Sequence, residues 1–182
     1  MFNHLNLLSK IIKSSNQREL DRVQKIVTKI NNLENDIIKL SDDDFPKKTK
    51  EFIKKINEGV SLNEILPEAY ALVREASKRI INERHFDCQI LGSVVMHEGK
   101  ICEAKTGEGK TNMIVCAAYL NALSKKGVHV VTVNDYLAKR DCQNMGNIYN
   151  FLGLTTGYIN NDQSDEERKY NCLLYTSDAA DE

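Results

Sequence analysis

The first eighty residues carry apolar positions spaced as in helices. Six of them recur at intervals of three and four along one stretch: Val23, Ile26, Ile30, Leu33, Ile37 and Leu40. This spacing places them on one side of a long helix. Since the seam is too short for a free-standing coiled coil, it predicts packing against a neighbouring body. Ser61 followed by Glu64 predicts a capping box at the start of a further helix that runs through Ile81.

The pattern changes after about residue 84, where short apolar runs alternate with helical stretches. Strands are predicted over 100–104, 128–133 and 154–159. Helices are predicted over 110–126, 135–152 and 164–170. This alternation predicts a parallel sheet built from right-handed βαβ units. The predicted fold class is therefore α/β, a partial parallel sheet with flanking helices, preceded by a helical N-terminal segment.

Composition limits the partners and the cellular compartment that the chain is expected to have. The chain has 182 residues, of which 41% are apolar and 28% are charged, with a net charge of −1. No bulk charge therefore steers it towards nucleic acid or acidic lipid. Five cysteines without a CxxC pair favour reduced, buried thiols in a cytosolic protein over a zinc or redox site. No apolar run approaches the roughly 18 residues of a membrane span, and residues 1–12 lack a signal-peptide cleavage site.

Residues 104–111, AKTGEGKT, follow the GxxxxGK[ST] pattern with alanine in place of the first glycine. Gly107 and Gly109 let backbone N–H groups turn inward, towards phosphate oxygens. Lys110 is predicted to contact the β and γ phosphates of ATP, and the Thr111 hydroxyl to complete the shell of Mg²⁺. The alternative is a plain glycine-rich turn. The predicted strand before the loop and the predicted helix after it favour nucleotide binding.

A polar stretch, RHFDCQ at 84–89, lies about twenty residues before the loop. The Gln89 amide has the donor and acceptor that the N6/N7 edge of adenine requires, and Phe86 could stack on the base. On chemistry alone this is a weak signal, since an isolated glutamine is usually a solvated polar residue. His85 by itself predicts a structural or surface histidine rather than a ligand or a base.

Two longer segments resemble the SecA family of preprotein translocase motor ATPases. They are ERHFDCQILGSVVMHEGKICEAKTGEGKT (83–111) and YLNALSKKGVHVVTVNDYLAKRD (119–141). Segments 8–27 and 66–80 look like the family's N-terminal helices, so the resemblance covers about residues 7–172. It implies a motor of two RecA-like domains with ATP between them. Residues 83–172 would be the first part of the first RecA-like domain, and residues 1–82 the N-terminal helical segment.

The resemblance also assigns roles to residues. Gln89 matches the glutamine that recognises adenine. The nucleotide-binding loop is matched by Gly107, Glu108, Gly109, Lys110 and Thr111. Segment 132–141 matches a motif whose role in the family is coupling or domain contact. From its residues alone, the same segment predicts a capped helix start with Lys139 and Arg140 on a solvated face.

The function implied by the resemblance is ATP-driven movement of unfolded preproteins through the SecYEG channel. Acidic phospholipids and the SecB chaperone are further implied partners, nucleic acid is not a partner, and a homodimer is an option for the full-length parent. The implied location is the cytoplasm and, peripherally, the inner face of the plasma membrane. The N-terminal helix carries a basic face suited to lipid or channel contact, although a solvated helix docking on the motor explains it equally well. That face consists of Lys10, Lys13, Arg18, Arg22, Lys25 and Lys29.

Residues 173–182, LLYTSDAADE, depart from the family pattern and predict a non-native tail. Hydrolysis in this class needs an acidic pair for Mg²⁺ and arginines from a second motor domain. Neither is found in this sequence, nor is the family's zinc-binding tail, so the chain alone is expected to be catalytically inactive. Two alternatives remain open. One is an RNA helicase of related architecture, which the N-terminal helices and segment 132–141 disfavour, and the other is a nucleotide-binding or channel-docking module without catalysis.

Overall fold

The structure, a computed structural model, describes residues 14–173, and its regular elements there are all helices. In chain order they are α1 (Ser15–Ile37), α2 (Asp44–Asn57), α3 (Leu62–Ile81), α4 (Asp87–His97), α5 (Lys110–Ala122), α6 (Asp135–Phe151) and α7 (Asp165–Leu173). The predicted α/β fold with a parallel sheet is therefore wrong for the described residues. Lys10, Lys13 and the predicted tail after residue 173 lie outside that range.

The three predicted strands are irregular segments without β partners. None of 100–104, 128–133 and 154–159 forms a ladder with another described segment. Ile101 is 98% exposed, and Val131 and Val133 are each 89% exposed. Strands depend on hydrogen bonds and side-chain pairs from neighbouring strands, and an apolar run that lacks them gains little from strand geometry. The apolar pattern thus identified candidate segments but not the partners that would make them a sheet.

Helix α3 forms the centre of the core and contacts α1, α2, α5 and α6. Every residue from 69 to 77 is buried, as expected for a helix that is enclosed on all sides. The predicted capping box is confirmed. The Glu64 N–H donates to Ser61 Oγ at 3.3 Å, and the Ser61 N–H donates to Glu64 Oε2 at 2.9 Å.

Helix α1 confirms the seam predicted from spacing. Of the predicted positions, three are buried and three are partly buried against the same core: Val23, Ile30 and Ile37, and Ile26, Leu33 and Leu40. Val27, which the predicted spacing did not include, is also buried. The seam packs on α3 and α4, so the helix docks on a neighbouring body as expected.

Helices α4 and α5 pack side by side, although the sequence analysis assigned no helix to 87–97. Ser93 Oγ of α4 donates to the carbonyl oxygen of Met113 in α5 at 2.5 Å. Tyr70 of α3 in turn donates to the carbonyl oxygen of Ser93 at 3.1 Å. Helix α5 begins at Lys110 as predicted but ends at Ala122, four residues before the predicted end. This pairing brings the segment before α4 and the loop before α5 together.

Within the described range, no helix combines the length and the apolar character that crossing a bilayer requires.

Candidate nucleotide-binding site

The loop that precedes α5 is the predicted phosphate loop, and its backbone turns at two glycines. Gly107 and Gly109 have φ angles of +90° and +75°. This left-handed region is open to glycine at little cost and strains most other residues. The Glu108 carboxylate folds back on the loop, where its Oε2 accepts from the Lys105 N–H at 2.7 Å. Glu108 therefore orders the loop from within.

The start of α5 offers an uncompensated positive end. Gly109 is the N-cap, and the first turn contains no acidic residue. The first N–H groups of a helix lack partners within the helix, and they bind anions together with the positive end of its dipole. Lys110 is exposed and makes no ion pair with a described carboxylate. Thr111 is half-buried and lines a cavity of about 370 Å³ between α5 and α6.

Gln89 connects the two predicted halves of the site. The side chain is only 4% exposed, and its Oε1 accepts from the Phe86 N–H at 2.9 Å. Its Nε2 donates to the Glu108 carbonyl oxygen at 3.1 Å. Since an amide oxygen can accept two hydrogen bonds and an amide nitrogen can donate two, one of each remains. A Cβ at Gly109 would overlap Gln89 Nε2, so any larger residue would displace the Gln89 amide in addition to straining the backbone.

The residues before α4 hold the first turn of α5 at two points. His85 is 1% exposed, and its Nε2 lies 2.9 Å from the Asn112 carbonyl oxygen. Burial lowers the pKa of His85 to about 4, so the ring is neutral near pH 7. Glu83 Oε2 accepts from Asn112 Nδ2 at 2.8 Å. His85 is thus a structural residue, as the sequence predicted, while the Phe86 ring beside it is 67% exposed.

A polar cluster around a buried arginine was missed by the sequence analysis; its partners Asn31 and Asp87 are partly buried and exposed, respectively. Arg74 of α3 is 0% exposed; its Nη1 donates to Asn31 Oδ1 at 2.5 Å and its Nη2 to Asp87 Oδ1 at 3.1 Å. Asn31 Nδ2 donates to Asp87 Oδ2 at 3.0 Å, which closes a ring of three side chains. We call Arg74, Asn31 and Asp87 the Arg74 triad. The available signal was a charged residue between the apolar positions of a core helix.

Segment 132–141 forms the predicted capped helix start. Asn134 Oδ1 accepts from the Leu137 N–H at 2.9 Å. Arg140 pairs with the adjacent Asp141 at 2.6 Å instead of reaching the phosphate loop. Asp141 nevertheless lines the same cavity as Thr111. The segment therefore borders the candidate site without entering the loop.

Comparison with known proteins places the chain among the DEAD-like domains. Its sequence matches the SecA DEAD-like domain over residues 8–179. The chain therefore belongs to the SecA family.

The similar proteins include three bacterial proteins that are each called protein translocase subunit SecA. The protein from Pelagibacter ubique (strain HTCC1062) is 67% identical over 94% of this chain and 20% of its own length. The protein from Geobacter metallireducens is 56% identical over 90% of this chain and 18% of its own length. The protein from Clostridium botulinum (strain Alaska E43 / Type E3) is 52% identical over 91% of this chain and 20% of its own length. The chain thus spans about a fifth of these relatives.

Proposed function

We propose that this chain is the ATP-binding part of a SecA-type protein translocation motor. The observation that carries the proposal is the pair of hydrogen bonds made by Gln89, which joins the segment before α4 to the phosphate loop. The residue that recognises adenine and the loop that binds the phosphates must be adjacent if they are to bind one nucleotide. The Gln89 amide satisfies that requirement through the Glu108 carbonyl oxygen.

Each part of Mg·ATP has matching groups in this arrangement. The spare lone pair and the spare hydrogen of Gln89 suit the N6/N7 edge of adenine, and the exposed Phe86 ring offers a stacking face. The loop N–H groups, the start of α5 and the Lys110 ammonium suit the phosphates. Bound ATP supplies the phosphoanhydride bond whose hydrolysis powers such motors, and Mg²⁺ neutralises charge on its phosphates.

Magnesium would be held mainly by the nucleotide itself. No cluster of three or more His, Cys, Asp or Glu residues suited to a metal occurs in the described part of the chain. Mg²⁺ typically combines a few protein oxygens with substrate phosphates and water. Thr111, at the start of α5, contributes one such oxygen, and glycine at 107 and 109 leaves the loop free for the phosphates.

In the whole protein, ATP binding and hydrolysis would drive unfolded preproteins through the SecYEG channel. The names of the relatives support this role, because each is called a protein translocase subunit. We assign hydrolysis to the whole protein and only nucleotide binding to this chain. A location in the cytoplasm and at the inner face of the plasma membrane, contact with acidic phospholipids, and the SecB chaperone as a further partner belong to the same proposal. So does a homodimer of the parent protein.

The N-terminal basic face gives limited support to the lipid contact. Arg22 pairs with Glu98 at 2.6 Å and with Glu19 at 2.8 Å, so part of the face is neutralised within the protein. Lys25 and Lys29 are exposed. The pairing of Arg22 therefore favours a helix that docks on the rest of the protein. Lys25 and Lys29 are the residues of this face that could contact an anionic lipid surface.

Calorimetric titration with Mg·ATP tests the nucleotide site. We expect Lys110→Ala to weaken binding by about tenfold or more, because it removes a charge-assisted contact to phosphate. Lys126→Ala is the matched control, since Lys126 is an exposed lysine beyond the opposite end of α5. Equal affinities for the unaltered chain and Lys110→Ala would contradict the assignment of Lys110 as a phosphate ligand. Absence of binding to the unaltered chain would contradict the proposed site.

A further inference from the structure

We propose that the Arg74 triad is a positioning element for adenine recognition: Arg74 and Asn31 fix Asp87, and through it the start of α4 where Gln89 lies. The inference deepens the proposed nucleotide site and rests on it. None of the three side chains is expected to touch the nucleotide. Their role is to hold the backbone that carries the groups which do.

The triad is a closed hydrogen-bonded ring that joins three helices. Arg74 comes from the core helix α3, Asn31 from α1, and Asp87 is the first residue of α4. Both carboxylate oxygens of Asp87 are used, one by Arg74 Nη2 and the other by Asn31 Nδ2. The remaining amide oxygen of Asn31 accepts from Arg74 Nη1. Since both oxygens of Asp87 accept a hydrogen bond, one from Arg74 and one from Asn31, its position is fixed from two directions.

Asp87 lies between the two residues that form the adenine subsite. Phe86 directly precedes it, and the Phe86 N–H holds Gln89 Oε1 at 2.9 Å. A displacement of Asp87 would move that N–H and release the Gln89 amide from its orientation. Because Gln89 Nε2 also holds the Glu108 carbonyl oxygen, the disturbance would reach the adenine subsite before the rest of the phosphate loop.

A second contact reinforces the same segment from α1. Arg84 binds Glu34 through two parallel hydrogen bonds, Nε to Oε1 at 2.5 Å and Nη2 to Oε2 at 2.8 Å. Bidentate pairs of this kind add geometric specificity as well as energy. The residues from 84 to 87 are therefore held to α1 at both ends. Helix α1 thereby becomes part of the support of the nucleotide site.

A purely structural role would not need this arrangement. Burying an arginine removes it from water at considerable cost, and apolar groups of similar volume often serve stability as well or better. The polar ring gives a defined orientation instead, because donors and acceptors match in one arrangement. A role in orientation predicts a change in ligand discrimination, whereas a role in packing predicts only a change in stability.

Exchange of the two polar partners separates these roles. Asp87→Asn would place the amide nitrogen of residue 87 against Asn31 Nδ2, two donors face to face. Asn31→Asp would place two carboxylates face to face. The double variant Asn31→Asp/Asp87→Asn restores a donor opposite an acceptor at each contact and keeps the net charge of the ring. Glu75→Gln is the matched control, because it removes a buried carboxylate on α3 whose partner is Arg79 instead.

The measurement is calorimetric affinity for Mg·ATP and for Mg·tripolyphosphate, which lacks adenine, with thermal unfolding recorded for each variant. We expect each single variant to lose about tenfold in affinity for ATP and less than about twofold for tripolyphosphate. The double variant should recover the ATP affinity of the unaltered chain, and Glu75→Gln should change neither affinity. Where a single variant does not fold, Asn31→Ala replaces it and should weaken ATP binding by about threefold.

Unchanged discrimination in the folded single variants, or a double variant that regains stability but not ATP affinity, would overturn the inference. The same measurements distinguish a failure of the proposed nucleotide site from a failure of this inference. If the unaltered chain binds neither ligand, that site is wrong and this inference fails with it. If binding depends on Lys110 and the exchange has no effect on discrimination, only the role of the triad is wrong.

Discussion

His85 illustrates how a single buried residue couples stability to pH. Its ring is almost fully excluded from solvent, and the carbonyl oxygen of Asn112 is its hydrogen-bond partner at Nε2. Burial disfavours the imidazolium form and lowers the pKa from 6.5 to about 4 in the folded chain. The unfolded chain therefore binds a proton more readily than the folded chain between these values. The contribution of His85 to stability is full above about pH 6.5 and is lost as pH falls towards 4.

We expect the free energy of unfolding to fall by about 2 kcal/mol between pH 7 and pH 5 through this residue. His85→Gln should remove that part of the pH dependence, because glutamine can donate to the same carbonyl oxygen without titrating. Denaturant unfolding at several pH values measures the effect. His129→Gln is the control, since His129 is exposed. Burial also lowers the pKa of His97, which adds a slope of the same sign in every variant.

Identical pH slopes for the unaltered chain and His85→Gln between pH 7 and pH 5 would show that the ring is not neutralised by burial. Most carboxylate titration lies below this window, and it contributes equally to the unaltered chain and to His85→Gln. The paired Glu19, for example, has its pKa lowered to about 2 by Arg22 and Lys100, so its loss of charge belongs to much lower pH.

At the scale of elements, two helices begin with the same capping chemistry in different surroundings. Ser61 and Glu64 cap α3 at the centre of the core. Ser164 and Glu167 cap α7 with the same reciprocal bonds, at 3.2 Å and 2.8 Å. Helix α7 has few contacts with the other helices. A weakly packed helix can open without unfolding the rest, so the two caps should differ in their effect on the whole molecule.

We expect Ser61→Ala to lower the free energy of global unfolding by about 1 kcal/mol, since it removes a cap from a helix that unfolds only with the core. Ser164→Ala should leave the global value nearly unchanged and increase amide hydrogen exchange in α7 alone. Denaturant unfolding together with residue-resolved hydrogen exchange measures both. Equal global losses from the two substitutions would mean that α7 is as much part of the cooperative unit as α3.

The same elements show what the sequence could predict. The seam of α1, the start of α5 and the cap of α3 depend on neighbours within a few residues, and all are confirmed. Helix α4 was missed because Ile90–Val95 contains a glycine, which disfavours a helix, and two valines, which favour strands. Contacts with α1 and α5 and the Gln89 side chain at its start stabilise the helix instead. Local patterns cannot report such contacts between distant segments.

The candidate site likewise contains residues that the sequence predicted and residues that it did not. The loop glycines, Lys110, Thr111 and Gln89 follow from spacing in a short motif, and their roles remain predictions that the binding experiments test. The Arg74 triad could not be predicted, because residues 31, 74 and 87 are far apart in the sequence. They come into contact only when the three helices pack together. The positive charge of Arg74 does not by itself indicate which distant residues bind it. Long-range pairing of polar groups was therefore the part of the site that sequence patterns did not contain.

At the scale of the whole molecule, the main departure from expectation is the absence of a sheet among the described residues. The segment after α5 consequently leaves Val131 and Val133 exposed on alternate positions of one short run. Exposed apolar side chains beside unpaired backbone groups favour association with another chain. We expect the chain to self-associate at micromolar concentrations through this run.

Sedimentation velocity over a range of concentrations tests this prediction. Val131→Lys/Val133→Lys should shift the distribution towards monomer, because it replaces two apolar contacts with charges that repel in a like-on-like contact. Thr132→Lys is the control, since it adds a charge at the intervening position and leaves both valines in place. An equal shift from Thr132→Lys would mean that net charge alone opposes association. No self-association of the unaltered chain would mean that the exposed run is compatible with a stable monomer, and the apolar pattern of 128–133 would then need another explanation.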